Sequence, residues 1–203
     1  MFPLVFQRLI PAIGFPWACR IVGFIQIAFL ILGNILVRSR LKPLPDAKAS
    51  IDLAALLEPI FALTAFGVFL IQWGTLVPIA YTTSFAINSG IEEGFAYQLL
   101  AIFNAGSVLG RWLPNYVADK FGRFNVMFIT TLSCVIFILG LWLPSGDSAN
   151  PEKTKNMVIA FAVLYGFGSG SGIALTPVCV GQICRTEDYG KRYGTCYSLA
   201  SFA

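Results

Sequence analysis

The sequence contains no histidine, which removes at once the commonest general acid–base group and the commonest zinc ligand. Charge is scarce as well: Asp, Glu, Lys and Arg make up 12% of the 203 residues, where soluble domains carry about a quarter. The five cysteines (Cys19, Cys134, Cys179, Cys184, Cys196) are odd in number and lie mostly inside apolar runs, so neither a disulfide framework nor a metal site is expected. No basic stripe is present; the net charge of +4 comes from short clusters between apolar runs, which argues against a nucleic-acid surface. No catalytic set emerges, because most acids sit in loops and the serines and cysteines of the apolar runs have no base near them in sequence. No cofactor is implied.

What is abundant is apolar length. Hydrophobic residues are 57% of the chain and the mean hydropathy is +0.75, the composition of an integral membrane protein. About 20 residues of helix cross a hydrocarbon core of about 30 Å. By that measure Met1 to Ile10 is too short, and Arg8 and Pro11 argue against a signal peptide. Spans are expected at about 17–37, 59–85, 95–117, 124–143 and 157–184, with the start of another at 193–203. The expected fold is therefore all-α and polytopic, a multi-pass protein of the plasma membrane or an internal membrane. The last run is too short to span, so the reading expects a chain cut at both ends. The Pro43-Leu-Pro45 stretch resists a continuous helix, and 38–58 is expected to be a linker between two bundles.

Loop charge orients these spans. Arg38, Arg40, Lys42, Lys48, Lys120, Arg123, Arg185, Lys191 and Arg192 fall on one side, against Arg8, Arg20, Lys153 and Lys155 on the other. The richer side reads as cytoplasmic and takes the linker with it.

Arg111 interrupts the 95–117 run. An ionisable residue in a span is costly and faces protein or water, which makes it a functional candidate. Asn104, Ser107 and Arg111 follow at i, i+3 and i+7 along one helix face. The residues leave several roles open: substrate contact, a gate, snorkelling of Arg111 to the interface about 9 Å away, or polar groups tying two helices together. Gln72 precedes Pro78 in another span, where the proline frees a carbonyl that can turn to a cavity or a donor. The Gly166-Phe-Gly168-Ser-Gly170-Ser-Gly172 run lacks the Gly-Lys-Ser/Thr ending of a phosphate loop. Pairs Gly166/Gly170 and Gly168/Gly172 fit small-x-x-x-small packing, which lets helices approach and slide.

The segment Asp119-Lys120-Phe121-Gly122-Arg123 resembles the motif Gly-x-x-x-Asp-(Arg/Lys)-x-Gly-Arg-(Arg/Lys) of the major facilitator superfamily. Asp119, Lys120, Gly122 and Arg123 match it; Asn115 replaces the leading glycine and Phe124 the final base. Gly74-Thr-Leu-Val-Pro78-Ile-Ala-Tyr81, Gly110-Arg111, the Gly166–Gly172 run and Gln7-Arg8-Leu-Ile-Pro11 resemble the monocarboxylate transporter family, especially fungal members that carry monocarboxylates or riboflavin. The resemblance implies a secondary transporter working by alternating access, with 1–37 the end of an amino-terminal bundle and 59–203 a partial carboxyl-terminal one. The rest of the amino-terminal half would be its missing partner. It implies a small organic anion as substrate, moved with a proton, and Arg111 as the anion contact, with Ser107, Asn104 and Gln72 shaping the pocket. The family's acid four residues before that arginine is Ser107 here, so this place offers no carboxyl for proton coupling. Two rivals stand beside this reading: a transport-inactive membrane protein that partners a full-length carrier, and an intramembrane enzyme, which the absent acid–base groups disfavour.

Overall fold

The computed structural model describes residues 9–37, 52–146 and 150–202. The expected span remnant before Arg8, and the expected linker as far as residue 51, lie outside the described residues. Two compact units divide the chain, residues 1–49 and 50–203. The first holds α1 (Phe15–Leu36), a 22-residue helix that begins after Gly14 at φ +77° and carries Pro16 in its first turn, where the missing N–H costs no helical bond.

In the second unit the described elements are a 3-10 turn (Leu53–Leu57), α2 (Pro59–Asn88), α3 (Glu93–Phe121), α4 (Arg123–Gly146), α5 (Pro151–Gln182) and α6 (Tyr189–Ala200). The fold is all-α, as expected. At 1.5 Å per residue, α2, α3 and α5 run about 43–48 Å, beyond the hydrocarbon thickness. Their bounds exceed the expected spans because hydropathy stops at the apolar boundary, whereas helical hydrogen bonding continues through the polar interface. α1, α2, α4 and α5 combine spanning length with mean hydropathies of 2.0, 1.9, 2.4 and 1.8. α3 has the length but is more polar, since Gln98, Asn104, Arg111 and Asn115 punctuate it.

α5 is the central helix: 61% of its apolar window is buried, against 22% in α2 and 17% in α4. Small residues make this possible. A side chain at Gly106 would put its Cβ 2.5 Å from the Val163 carbonyl oxygen, and one at Gly110 would overlap the carbonyl of Phe167. Reciprocally, a Cβ at Gly166 would overlap the Phe103 carbonyl, and one at Gly170 would lie 2.5 Å from that of Ser107. Each helix seats its glycines on the other's backbone, so α3 and α5 interlock, and axial sliding would drive the Phe103 and Phe167 backbones out of their notches. Gly168 meets α4 instead, at Cys134 Sγ, while Gly172 makes only ordinary contact with Ile71 of α2. The run thus serves three neighbours at once.

In α4 a π turn at Ile138–Trp142 shifts the register by one residue. Trp142 packs there against Phe85 of α2 (5.7 Å, edge-on) and Phe161 of α5 (5.5 Å, stacked). With Leu99, Phe103, Val158 and Tyr165 these rings form the largest apolar core.

At the opposite end, the last residues of the expected linker fasten to α6. Asp52 caps the 3-10 turn through Oδ1, which accepts from the Ala55 N–H at 3.2 Å, and its own N–H donates to Thr195 Oγ1 at 2.9 Å. Arg192 donates twice to Glu58, at 2.8 and 2.6 Å, and lies over the Phe61 ring. These hydrogen bonds from Arg192 hold the Glu58 carboxyl below the usual carboxylate range. A depressed folded-state pKa stabilises the fold above the unfolded value of about 4.3, and the contribution is lost as pH falls through the folded value. Glu58→Gln is therefore expected to lower the thermal midpoint at pH 7 and to leave it unchanged once pH lies below the folded pKa. Midpoints of the two chains from pH 7 to pH 3 check this: the curves should converge on acidification.

Candidate functional site

One long side of α3 stays uncovered in the second unit. It carries Tyr97, Asn104, Arg111, Trp112, Tyr116 and Asp119, all exposed. Asn104 donates to the Leu100 carbonyl at 2.7 Å, and Asn115 donates to the carbonyl of Arg111, so both amides are satisfied within the helix. Among the described residues the ion pairs are Asp119–Arg123 and Glu58–Arg192, which leaves the Arg111 guanidinium without an acidic partner. Arg111 lies about 15 Å before the end of α3 at Phe121, a helix end that continues past the apolar boundary expected at Val117. A cation on a membrane helix needs water, protein or an anion beside it.

The expected polar stripe is not uniform. Ser107 is 5% exposed, with its backbone and Oγ against Gly170, so it belongs to the α3–α5 contact, while Asn104 and Arg111 face outward. Helical spacing places the three within one sector but does not say where the neighbouring helix stops. Gln72 is half-buried on α2.

The Asp119–Arg123 segment is tighter than a loop. Asp119 and Lys120 end α3, Arg123 begins α4, and Gly122 alone connects them at φ +94°, a conformation that favours glycine. The Asp119–Arg123 pair bridges this joint at 3.5 Å, both side chains substantially exposed, and Lys120 lies over the Tyr116 ring at 4.9 Å. An exposed pair contributes about 0–1 kcal/mol. Asp119→Asn should accordingly shift the thermal midpoint by no more than about 4 °C, so a large loss of any activity in that variant would point to a role beyond stability.

Pro78 interrupts α2 and removes the N–H that would have bonded the Gly74 carbonyl. That carbonyl accepts from the Tyr165 hydroxyl of α5 at 3.2 Å. Beside the bond is a cavity of about 190 Å³ lined by α2, α4 and α5, including Thr75, Cys134, Tyr165 and Ser169. Neither Tyr165 nor the Glu58–Arg192 pair stands out in the sequence. The available signal for Tyr165 was a hydroxyl-bearing aromatic next to the glycine run, in a chain with a proline-freed carbonyl seeking a donor.

The model of the Major Facilitator Superfamily matches residues 1–203, the whole chain. A transporter of the same superfamily from Gibberella moniliformis is 38% identical over 207 residues, covering 100% of this chain and 48% of the relative. A riboflavin transporter of Saccharomyces cerevisiae is 36% identical over 208 residues, covering 95% of this chain and 39% of the relative. An agnestins efflux protein of Paecilomyces divaricatus is 28% identical over 203 residues, covering 100% and 45%. The chain spans less than half the length of these curated relatives. No solved structure matches it. With its long apolar helices and a match over its full length, this chain belongs to the major facilitator superfamily, a family of multi-pass membrane transporters and not of enzymes.

Proposed function

We propose that the chain supplies one bundle of a secondary transporter that carries a small organic anion, with Arg111 as the anion contact. The observation that carries this reading is the exposed guanidinium on α3, without an acidic partner among the described residues and on the same helix face as Asn104. Such a charge is stabilised by a carboxylate arriving in a water-filled passage between bundles, the arrangement that alternating access uses. In this reading Asn104 and Gln72 shape the passage, and Ser107 supports it from behind through the α3–α5 seat. The Asp119–Arg123 joint is the candidate gate, because an exposed ion pair across a single glycine breaks readily when helices move.

A second reading, transport of a larger solute by the same face, is favoured by two of the relatives, one named for riboflavin and one for agnestins efflux. The two separate in one experiment. The chain, together with the bundle that this reading makes its partner, is reconstituted in proteoliposomes and offered labelled monocarboxylates, their neutral amide counterparts and riboflavin. Uptake of carboxylates over amides, lost in Arg111→Gln, supports the anion reading; riboflavin uptake indifferent to that change supports the second.

A further inference from the structure

We infer that the Tyr165 hydroxyl latches a two-state bend in α2, acting as the donor that Pro78 took away. Three observations carry this. Pro78 leaves the Gly74 carbonyl without its helical N–H, and a proline ring crowds the carbonyl four residues before it. In a bilayer an unbonded backbone carbonyl is costly, so a neighbouring helix has to satisfy it. Tyr165 does so from α5 at 3.2 Å, while its ring is clamped by stacking on Phe161 at 4.9 Å and by Phe103 at 5.9 Å.

The surroundings make the bond reversible. Gly74 has nothing within 4 Å of where a Cβ would stand, so no neighbour blocks α2 on that side. The cavity of about 190 Å³ beside the bond gives it room. Thr75 and Ser169 line the same cavity; each donates its own hydroxyl proton within its helix, to Ile71 at 2.6 Å and Gly166 at 3.2 Å, and retains lone pairs that can accept. When the Gly74 carbonyl moves away, the Tyr165 hydroxyl therefore has acceptors at hand. Because α5 is interlocked with α3, the movable partner is α2. The inference concerns this joint alone and does not depend on what the protein carries.

The test is a four-way comparison in lipid nanodiscs: the unchanged chain, Tyr165→Phe, Pro78→Ala, and the double variant. Bio-orthogonal spin labels at the exposed positions Ser84 and Asn156 report the distance between α2 beyond the bend and α5, leaving the five cysteines in place. Tyr165→Phe keeps the ring and removes only the hydroxyl, and the unlatched population should rise about two- to tenfold. Pro78→Ala restores the N–H to Gly74, so the double variant should keep one narrow distance. If Tyr165→Phe cannot fold but the double variant can, the restored N–H has replaced the hydroxyl and the inference stands. An unaltered distribution in Tyr165→Phe, equal broadening in both backgrounds, or failure to fold in both would overturn it.

Discussion

Replacing Gly110 with alanine is expected to unseat α3 from α5 and lower the thermal midpoint by about 10 °C. The added methyl would overlap the Phe167 carbonyl, and backbone cannot rotate out of the way as a flexible side chain does. Overpacking costs about 1–3 kcal/mol and occasionally more; an overlap with backbone on an interlocked pair belongs at the top of that range. For a chain of this size, each kcal/mol shifts the midpoint by about 2–4 °C. Gly67→Ala is the matching control, since no atom lies within 4 Å of that position and alanine is the better helix former. Its midpoint should hold or rise slightly. Tryptophan fluorescence during heating reads both, and a Gly110→Ala midpoint within about 2 °C of the unchanged chain would mean that the two backbones do not meet this closely.

Arg111→Gln should reduce anion uptake about 10- to 150-fold, the range expected when a hydrogen bond to a charged group is lost. Arg111→Lys keeps the charge but loses the bidentate fork, so its uptake should fall between the two. Stability should move the other way. An arginine inside a span is costly, by about 2.5–3.5 kcal/mol at the centre and less towards the ends, so the glutamine chain should insert at least as well and melt no lower. A snorkelling anchor or a structural gate predicts a different pattern: uptake nearly unchanged, or uptake and thermal midpoint falling together. Measuring the uptake rate and the midpoint on the same preparations decides among these outcomes.

The class of the fold was legible because partition between water and lipid is a local property of sequence. Apolar runs broken by Arg38, Lys120 or Lys153 announce helices wherever those helices pack. What packs on what is not local. The Gly166–Gly172 run signalled close approach, but its complement on α3, Gly106 and Gly110, was hidden in a helix read for its arginine. For the same reason the sequence does not separate Ser107 from Asn104 and Arg111: spacing gives the angle about the helix axis, and only the neighbour decides which part of that angle is covered. The 3-10 turn Leu53–Leu57 has no local signal, because the Asp52 that caps it is held by Thr195 of α6, far along the chain. The freed carbonyl before Pro78 could be anticipated, whereas its donor could not, since any hydroxyl on a facing helix would serve.

The interlock also sets an order of assembly. α3 is the least apolar of the long helices, carries an arginine, and during synthesis enters the membrane with both of its notches empty. The backbone that fills them belongs to α5, two helices later in the chain. The segment least able to hold its own place in lipid is therefore secured by one that does not yet exist when it arrives. A nascent chain halted before Gly166 would leave the arginine-bearing helix with nothing to seat against.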